Sequence, residues 1–241
     1  MRPIAHVRSE FPEKFGVPRN ARIVPELTAR VVFTPEFRSP EALRGIEGFS
    51  HLWLIWLFSE NTEQGWSPTV RPPRLGGNQR MGVFATRSPF RPNPIGLSAV
   101  ELRSVEHGPE GPVLVVGGAD LVDGTPILDI KPYVPLDSIP EARGGFLTAN
   151  PRDPLDVNIP EDLLAVIPAD ARGALEGVLA ADPRPAYQED PGRTYSMSYA
   201  GREVDFHVVG RTLIVSGVRP GRTQPEDHAA GRHRAESRPG E

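Results

Sequence analysis

Short runs rich in β-branched and aromatic residues recur along the first half of the chain, at residues 4–8, 26–33, 49–58, 81–86, 95–105, 113–117 and 127–130. Each is bounded by Gly, Pro, Asn or Asp, so the pattern predicts strands closed off by turns, and this spacing reads as a β-barrel or strongly curved sheet. The run Phe49-Ser-His-Leu-Trp-Leu-Ile-Trp-Leu-Phe lacks polar–apolar alternation. That predicts a central strand covered on both faces, a buried helix being the alternative for so short an apolar run. Between residues 35 and 49 the segment Pro40-Glu-Ala-Leu-Arg has a helix start, and Gly45 and Gly48 stop it.

Beyond the barrel the pattern changes. Residues 1–141 are assigned to the barrel, and residues 142–157, dominated by Gly, Pro and Asp-Pro, to a linker. Residues 158–219 form a small α+β subdomain. Pro160 and Pro168 each open a short helical pattern, and strand-like pieces follow at 194–199, 203–208 and 213–218. Residues 220–241 carry mixed charge, Gly and Pro with almost no apolar anchors, and are expected to be a disordered tail. The fold class expected is therefore mainly β, a single-sheeted barrel with a C-terminal α+β appendage.

Composition narrows the function classes. The longest apolar run, residues 52–58, is far below the ~20 residues of a membrane-spanning helix, and the start MRPIAHVRS lacks a signal-peptide hydrophobic segment. No membrane contact and a cytoplasmic location are expected. With no cysteine, disulfides, thiol catalysis and Cys-ligated metals are excluded, and the six histidines show no HExxH or HxH spacing, so no metal is expected. The formal charge is −4, yet residues 71–103 hold six arginines against one glutamate. A local excess of five positive charges suits phosphate contacts while the acidic remainder limits nonspecific adhesion.

Five of those arginines lie within RPPRLGGNQRMGVFATRSPFRPNPIGLS, residues 71–98, together with five prolines. Proline fixes φ and restricts its predecessor, so the stretch predicts stiff loops whose side chains are aimed before a ligand arrives. Such loops suggest a prebuilt anion site. GxGxxG, GxxxxGK[ST] and GxSxG fingerprints are missing, which removes support for Rossmann and P-loop readings.

Four colinear segments resemble one family. They are Lys14-Phe-Gly-Val-Pro-Arg-Asn, Gly48-Phe-Ser-His-Leu-Trp, residues 71–98, and Ala119-Asp-Leu-Val-Asp-Gly-Thr-Pro-Ile-Leu-Asp-Ile-Lys-Pro-Tyr, with Asp182-Pro-Arg-Pro-Ala-Tyr extending the match into the appendage. The chain is similar in these to the TsaA-like (TrmO, formerly YaeB) proteins. The resemblance implies a β-barrel, S-adenosylmethionine-dependent tRNA methyltransferase that acts on N6 of threonylcarbamoyladenosine at tRNA position 37, notably in threonine tRNA, and binds its cofactor as a homodimer. Carried over residue by residue, the cofactor contacts fall on Pro18, Arg19, Asn20, Ser59, Glu60, Arg87, Leu97, Gly117, Gly118, Ala119 and Asp120. The chain departs from the family pattern in two places: its Pro-Arg-Gln reads Pro-Arg-Asn here, and its His-Gln pair reads Ser59-Glu60.

The residues themselves agree with that assignment. A zwitterionic sulfonium cofactor with a flat base needs an acidic residue, an arginine or exposed N–H groups, and an apolar slot. Asp120 and Arg87 suit the first two needs, and Gly117-Gly118 admits close backbone approach. Asp123-Gly124 has a competing role as a turn pair, and Leu97 reads as apolar wall. His51, Trp53 and Trp56 are read as core residues, and Trp66, in a polar loop, as a base-stacking candidate. Methyl transfer to a carbamoylated N6 needs orientation and loss of a proton; Asp120, Asp123 or the substrate's own threonyl carboxylate are the candidates for assisting it. Arg71, Arg74, Arg80 and Arg91 are assigned to RNA phosphates or that carboxylate. Two alternatives stay open: a noncatalytic cofactor or RNA sensor on the same barrel, and a methyltransferase with a non-tRNA acceptor.

Overall fold

The computed structural model describes residues 1–60, 65–151, 153–185, 190 and 192–221. Six antiparallel strands close into a barrel in the order β1 (Ala5–Arg8), β2 (Thr28–Phe33), β7 (Gly111–Gly117), β6 (Ile95–Gly108), β3 (His51–Leu57) and β8 (Pro126–Pro132), which returns to β1. Between β3 and β6 a two-residue ladder pairs β4 (Thr69–Val70) with β5 (Met81–Gly82). A barrel of six strands is narrow enough for side chains to fill, and inward positions alternate with outward ones along each strand. Val7, Val31, Leu54, Leu114 and Val116 are all but fully buried in that interior.

β3 corrects one expectation. Its burial alternates strictly, with Leu52, Leu54 and Trp56 inside and His51, Trp53, Ile55 and Leu57 half-buried outside. Trp53, read as core, instead lies 5.2 Å from the Tyr133 ring and donates through Nε1 to Asp137 Oδ2 at 2.9 Å. The strand expected over residues 81–86 ends at Gly82, where a 3-10 turn over Val83–Ala85 begins. Pro40–Leu43 is likewise a 3-10 turn.

The C-terminal unit is a four-stranded sheet in the order β10 (Tyr195–Tyr199), β11 (Arg202–Val209), β12 (Thr212–Pro220) and β9 (Asp156–Asn158). α1 (Phe146–Ala149) and α2 (Glu161–Val166) precede α3 (Arg172–Ala180), which buries Ala174, Leu175, Val178 and Leu179 in the core shared with the sheet. Ala200 and Gly201, at φ 47° and 68°, make the left-handed pair that a two-residue hairpin needs. Residues 142–157 are not all linker, since α1 lies within them and β9 joins β12 in parallel. Three residues with little apolar pattern read as loop; partnership with a distant strand makes them β. The tail expected from residue 220 lies, from 222 onward, outside the described residues, as do Ala186 and Tyr187 of the 182–187 segment.

The two units share a core. Phe11, Val24 and Leu27, from the long connection between β1 and β2, are buried in the C-terminal cluster, and Phe15 stacks 6.4 Å from Phe206. Gly16, at φ 96°, lies under Met197, so an added Cβ would fall 2.1 Å from its sulfur. The connection that carries Pro18, Arg19 and Asn20 is thus clamped between barrel and appendage.

Candidate active site

One end of the barrel opens into a cavity of about 440 Å³, within the range of small-molecule sites. The end of β3 contributes Trp56, Leu57 and Phe58; the start of β6 contributes Ile95, Gly96 and Leu97; the loop after β7 contributes Asp120, Leu121 and Val122. The β1–β2 connection brings Lys14, Pro18, Arg19 and Asn20, and the segment before β6 brings Thr86, Arg87 and Arg91. Of the residues expected to hold a cofactor, Pro18, Arg19, Asn20, Ser59, Glu60, Arg87, Leu97 and Asp120 therefore line one cavity, although they come from five separate stretches of sequence.

Gly117, Gly118 and Ala119 are not among the residues that line it. They lead from β7 into Asp120. Gly118 sits at φ 67°, with Arg22 backbone atoms 3.2 Å from where a Cβ would be, and Arg22 N–H donates to the Gly118 carbonyl at 2.8 Å. A left-handed glycine is what lets the two loops touch. Gly117 packs against Arg103 and Glu101 outside the cavity, and Ala119 is buried in the barrel core.

Asp120 accepts a hydrogen bond from Ser98 Oγ at 2.6 Å, and Ser98 Oγ accepts one from Trp56 Nε1 at 3.0 Å. Burial pushes the Asp120 carboxyl up from its ordinary value; the Ser98 hydroxyl, its own backbone N–H, the Ala21 N–H and the Arg87 charge pull it back. Arg87 donates to Asn20 Oδ1 at 3.0 Å, and Lys14 Nζ to the Glu60 carbonyl at 2.9 Å, so cations and loops brace each other around the opening. Arg19 donates to the Arg184 carbonyl at 3.0 Å, and Arg184 is itself paired with Asp182 at 2.8 Å. The Asp182-Pro-Arg turn thus supports the cavity wall from the appendage.

Asp123 is placed elsewhere. Its carboxylate accepts the Ser9 N–H at 3.0 Å and Arg8 Nη1 at 3.4 Å, so it fastens the end of β1 and does not face the cavity. The arginine patch also divides. Arg91 donates to the Val83 and Thr86 carbonyls at 3.2 and 2.8 Å, and Arg74 to those of Leu147 and Asn150 at 2.8 and 3.3 Å. Arg103 is tied to Glu101 and the Pro25 carbonyl. Arg80 makes one bond, to Thr69 Oγ1 at 3.2 Å, and Arg71 is exposed with no hydrogen bond or ion pair among the described residues. Extended Pro-rich loops have few backbone bonds of their own, and arginines supply them, a role that sequence does not separate from anion binding.

Ser98, Trp56 and Gly96 were not picked out as site residues by sequence. Cross-strand register explains them: Trp56 pairs with Gly96, and Leu54 with Ser98, so the indole lies over the glycine with its N–H reaching diagonally to the serine. A Cβ on Gly96 would fall 2.1 Å from the Trp56 ring. Gly96→Ala is expected to destabilise by at least about 1–3 kcal/mol, the usual cost of overpacking, and to displace the indole. A lowered urea midpoint with altered tryptophan fluorescence checks this; an unchanged midpoint refutes it.

A closed barrel with a half-buried carboxylate in its end cavity, one wall braced by an α+β unit, defines the class: a β-barrel protein with a candidate small-molecule site and, among the described residues, no Rossmann sheet. The family model described as the tRNA-methyltransferase O N-terminal domain matches residues 6–138, and that of the TrmO C-terminal domain matches residues 160–221. The chain belongs to the tRNA-methyltransferase O family. It is 45% identical over 226 residues to the tRNA (adenine(37)-N6)-methyltransferase of Escherichia coli, covering 90% of this chain and 96% of that protein. A Pseudomonas aeruginosa protein whose name assigns it provisionally to the S-adenosylmethionine-dependent methyltransferases is 42% identical, over 88% of this chain and 94% of its own length. A crystal structure of TrmO superposes with a TM-score of 0.74 at 35% identity, covering 90% of this chain and 97% of that one. Among the described residues no helix is long and apolar enough to cross a membrane.

Proposed function

We propose that the protein is an S-adenosylmethionine-dependent methyltransferase acting on N6 of threonylcarbamoyladenosine at tRNA position 37, with threonine tRNA among its substrates. The observation that carries this reading is the Asp120 carboxylate, half-buried in a cavity that also offers Arg87, Lys14 and an apolar wall of Trp56, Phe58 and Leu97. That donor set fits S-adenosylmethionine: a carboxylate for its cationic part, cations for its carboxylate, and an aromatic and aliphatic wall for its base. When bound, the cofactor supplies an electrophilic methyl group.

The chain's own contribution is orientation and proton handling. Asp120 faces the cavity with burial favouring its neutral form, which raises its basicity toward a proton released from N6. Thr86, Arg87 and Arg91 form a wall whose shape is fixed by the Arg91 bonds to the Val83 and Thr86 carbonyls. Arg71 and Arg80, exposed members of the patch with at most one hydrogen bond among the described residues, are the residues best placed for RNA phosphates, and Trp66, 57% exposed, for stacking on a base. Leu97 at the cavity and Phe84 outside its lining, 54% and 73% exposed, are apolar surface suited to a homodimer contact.

Incubation with labelled S-adenosylmethionine and bulk tRNA from cells with and without the threonylcarbamoyl modification tests the reading. Label is expected only in the modified sample. Label in both samples refutes the acceptor, and label in neither favours the noncatalytic sensor. A small-molecule or protein acceptor would leave both tRNA samples unlabelled while label appears in a cell extract. Arg87→Ala is expected to weaken cofactor binding about tenfold, the lower end for a charge-assisted hydrogen bond because the side chain is exposed. Unchanged affinity by calorimetry in the folded variant removes Arg87 from the site.

A further inference from the structure

We infer that Ser98 is a positioning residue for methyl transfer, holding the Asp120 carboxylate through a hydrogen-bond chain that starts at the Trp56 indole; this rests on the cofactor site proposed above. Ser98 is 2% exposed, one of two buried polar side chains among the described residues, the other being Thr125. Thr125 Oγ1 donates to the Val122 carbonyl at 2.7 Å and completes a turn. Ser98 Oγ has no such backbone partner among the described residues. Its contacts are the Trp56 N–H at 3.0 Å and Asp120 Oδ1 at 2.6 Å, so a hydroxyl buried on an inward strand position serves a side chain of the cavity.

The direction of the chain follows from donor chemistry. An indole N–H only donates, so it occupies a lone pair of Ser98 Oγ and leaves the single hydroxyl proton to point at Asp120. The 2.6 Å separation lies within the range of hydroxyl-to-carboxylate bonds, which are stronger than neutral ones. With the hydroxyl rotor fixed, one carboxylate oxygen is held and the plane of the group is set toward the cavity. Strand pairing fixes both ends: Ser98 is opposite Leu54, and Trp56 is opposite Gly96, whose missing side chain leaves room for the ring. A merely structural Ser98 would fill space and satisfy Trp56. A positioning Ser98 in addition controls at which pH the Asp120 carboxylate is available.

The test uses the full chain, with methyl transfer to tRNA carrying the threonylcarbamoyl modification followed against pH, and cofactor affinity measured in parallel. Ser98→Ala is expected to lower kcat about tenfold, leave the KM for tRNA unchanged, and move the acid limb of the profile upward by about one pH unit, since the carboxylate loses a bond that favours its charged form. Ser98→Thr, which keeps the hydroxyl, should return the limb toward its original position. Trp56→Phe keeps an aromatic ring but frees the serine rotor, so it should shift the limb in the same direction by less, and add nothing in a Ser98→Ala background. An acid limb unmoved in both Ser98→Ala and Trp56→Phe overturns the inference, as do losses in the two variants that simply multiply. Asp120→Asn separates the two levels. Full activity in that variant refutes the site itself, whereas an inactive Asp120→Asn beside a normal Ser98→Ala profile refutes only the role of Ser98.

Discussion

Asp120→Asn is expected to lower methyl transfer by about 10²–10⁴-fold, the range for removal of a positioned proton-accepting group, while leaving the barrel folded. The amide keeps the size of the carboxylate, and its Oδ1 can still accept from Ser98, so the loss reports on charge and basicity. Stability should move the other way. Burial is the largest influence on Asp120 and raises its pKa in the folded state, so the fold favours the neutral acid. The stabilisation contributed by a raised carboxyl is full below the unfolded-state pKa and is lost as pH rises through the folded one. Asparagine, uncharged throughout, escapes that loss. Thermal melts should therefore show the variant gaining on the parent protein above neutral pH, with the gain fading in acid. A folded variant with undiminished methyl transfer would take Asp120 out of the reaction, and a gain that grew in acid would contradict the burial argument.

Phe11→Ala should cost about 3–5 kcal/mol, the range for removing a large aromatic side chain from a core. Phe11 is 1% exposed and its ring centre lies 5.1 Å from that of Tyr199. It belongs by sequence to the barrel half but packs in the C-terminal core, so the cavity left behind would loosen the contact between the units. The same connection carries Pro18, Arg19 and Asn20 to the cavity. A lower denaturation midpoint accompanied by weaker cofactor binding is the expected pair of results, with Leu97→Ala, at an exposed position, changing stability by no more than about 0.5 kcal/mol. A drop in Phe11→Ala no larger than that of Leu97→Ala would mean that the shared core does not hold the two units together.

Runs of β-branched and aromatic residues between turn residues marked the barrel strands because each strand needs only a local pattern and a stop. Residues 113–117 and 127–130 were legible in this way, and so were the paired helices after Pro160 and Pro168. Colinear motifs carried the family and, through it, eight of the residues that line the cavity. Partnership was not legible. β9 is a strand only because β12 lies beside it, and Phe11 is a core residue of the appendage only because the chain returns there some 150 residues later. The same limit explains Asp120 and Asp123, two carboxylates three residues apart in one motif. Sequence offers both as acids, and only the closed barrel turns the first into the end cavity and the second onto Ser9 and Arg8. The arginines divide for the same reason: a guanidinium binds a backbone carbonyl or a phosphate with the same donors, and the fold decides which comes within reach.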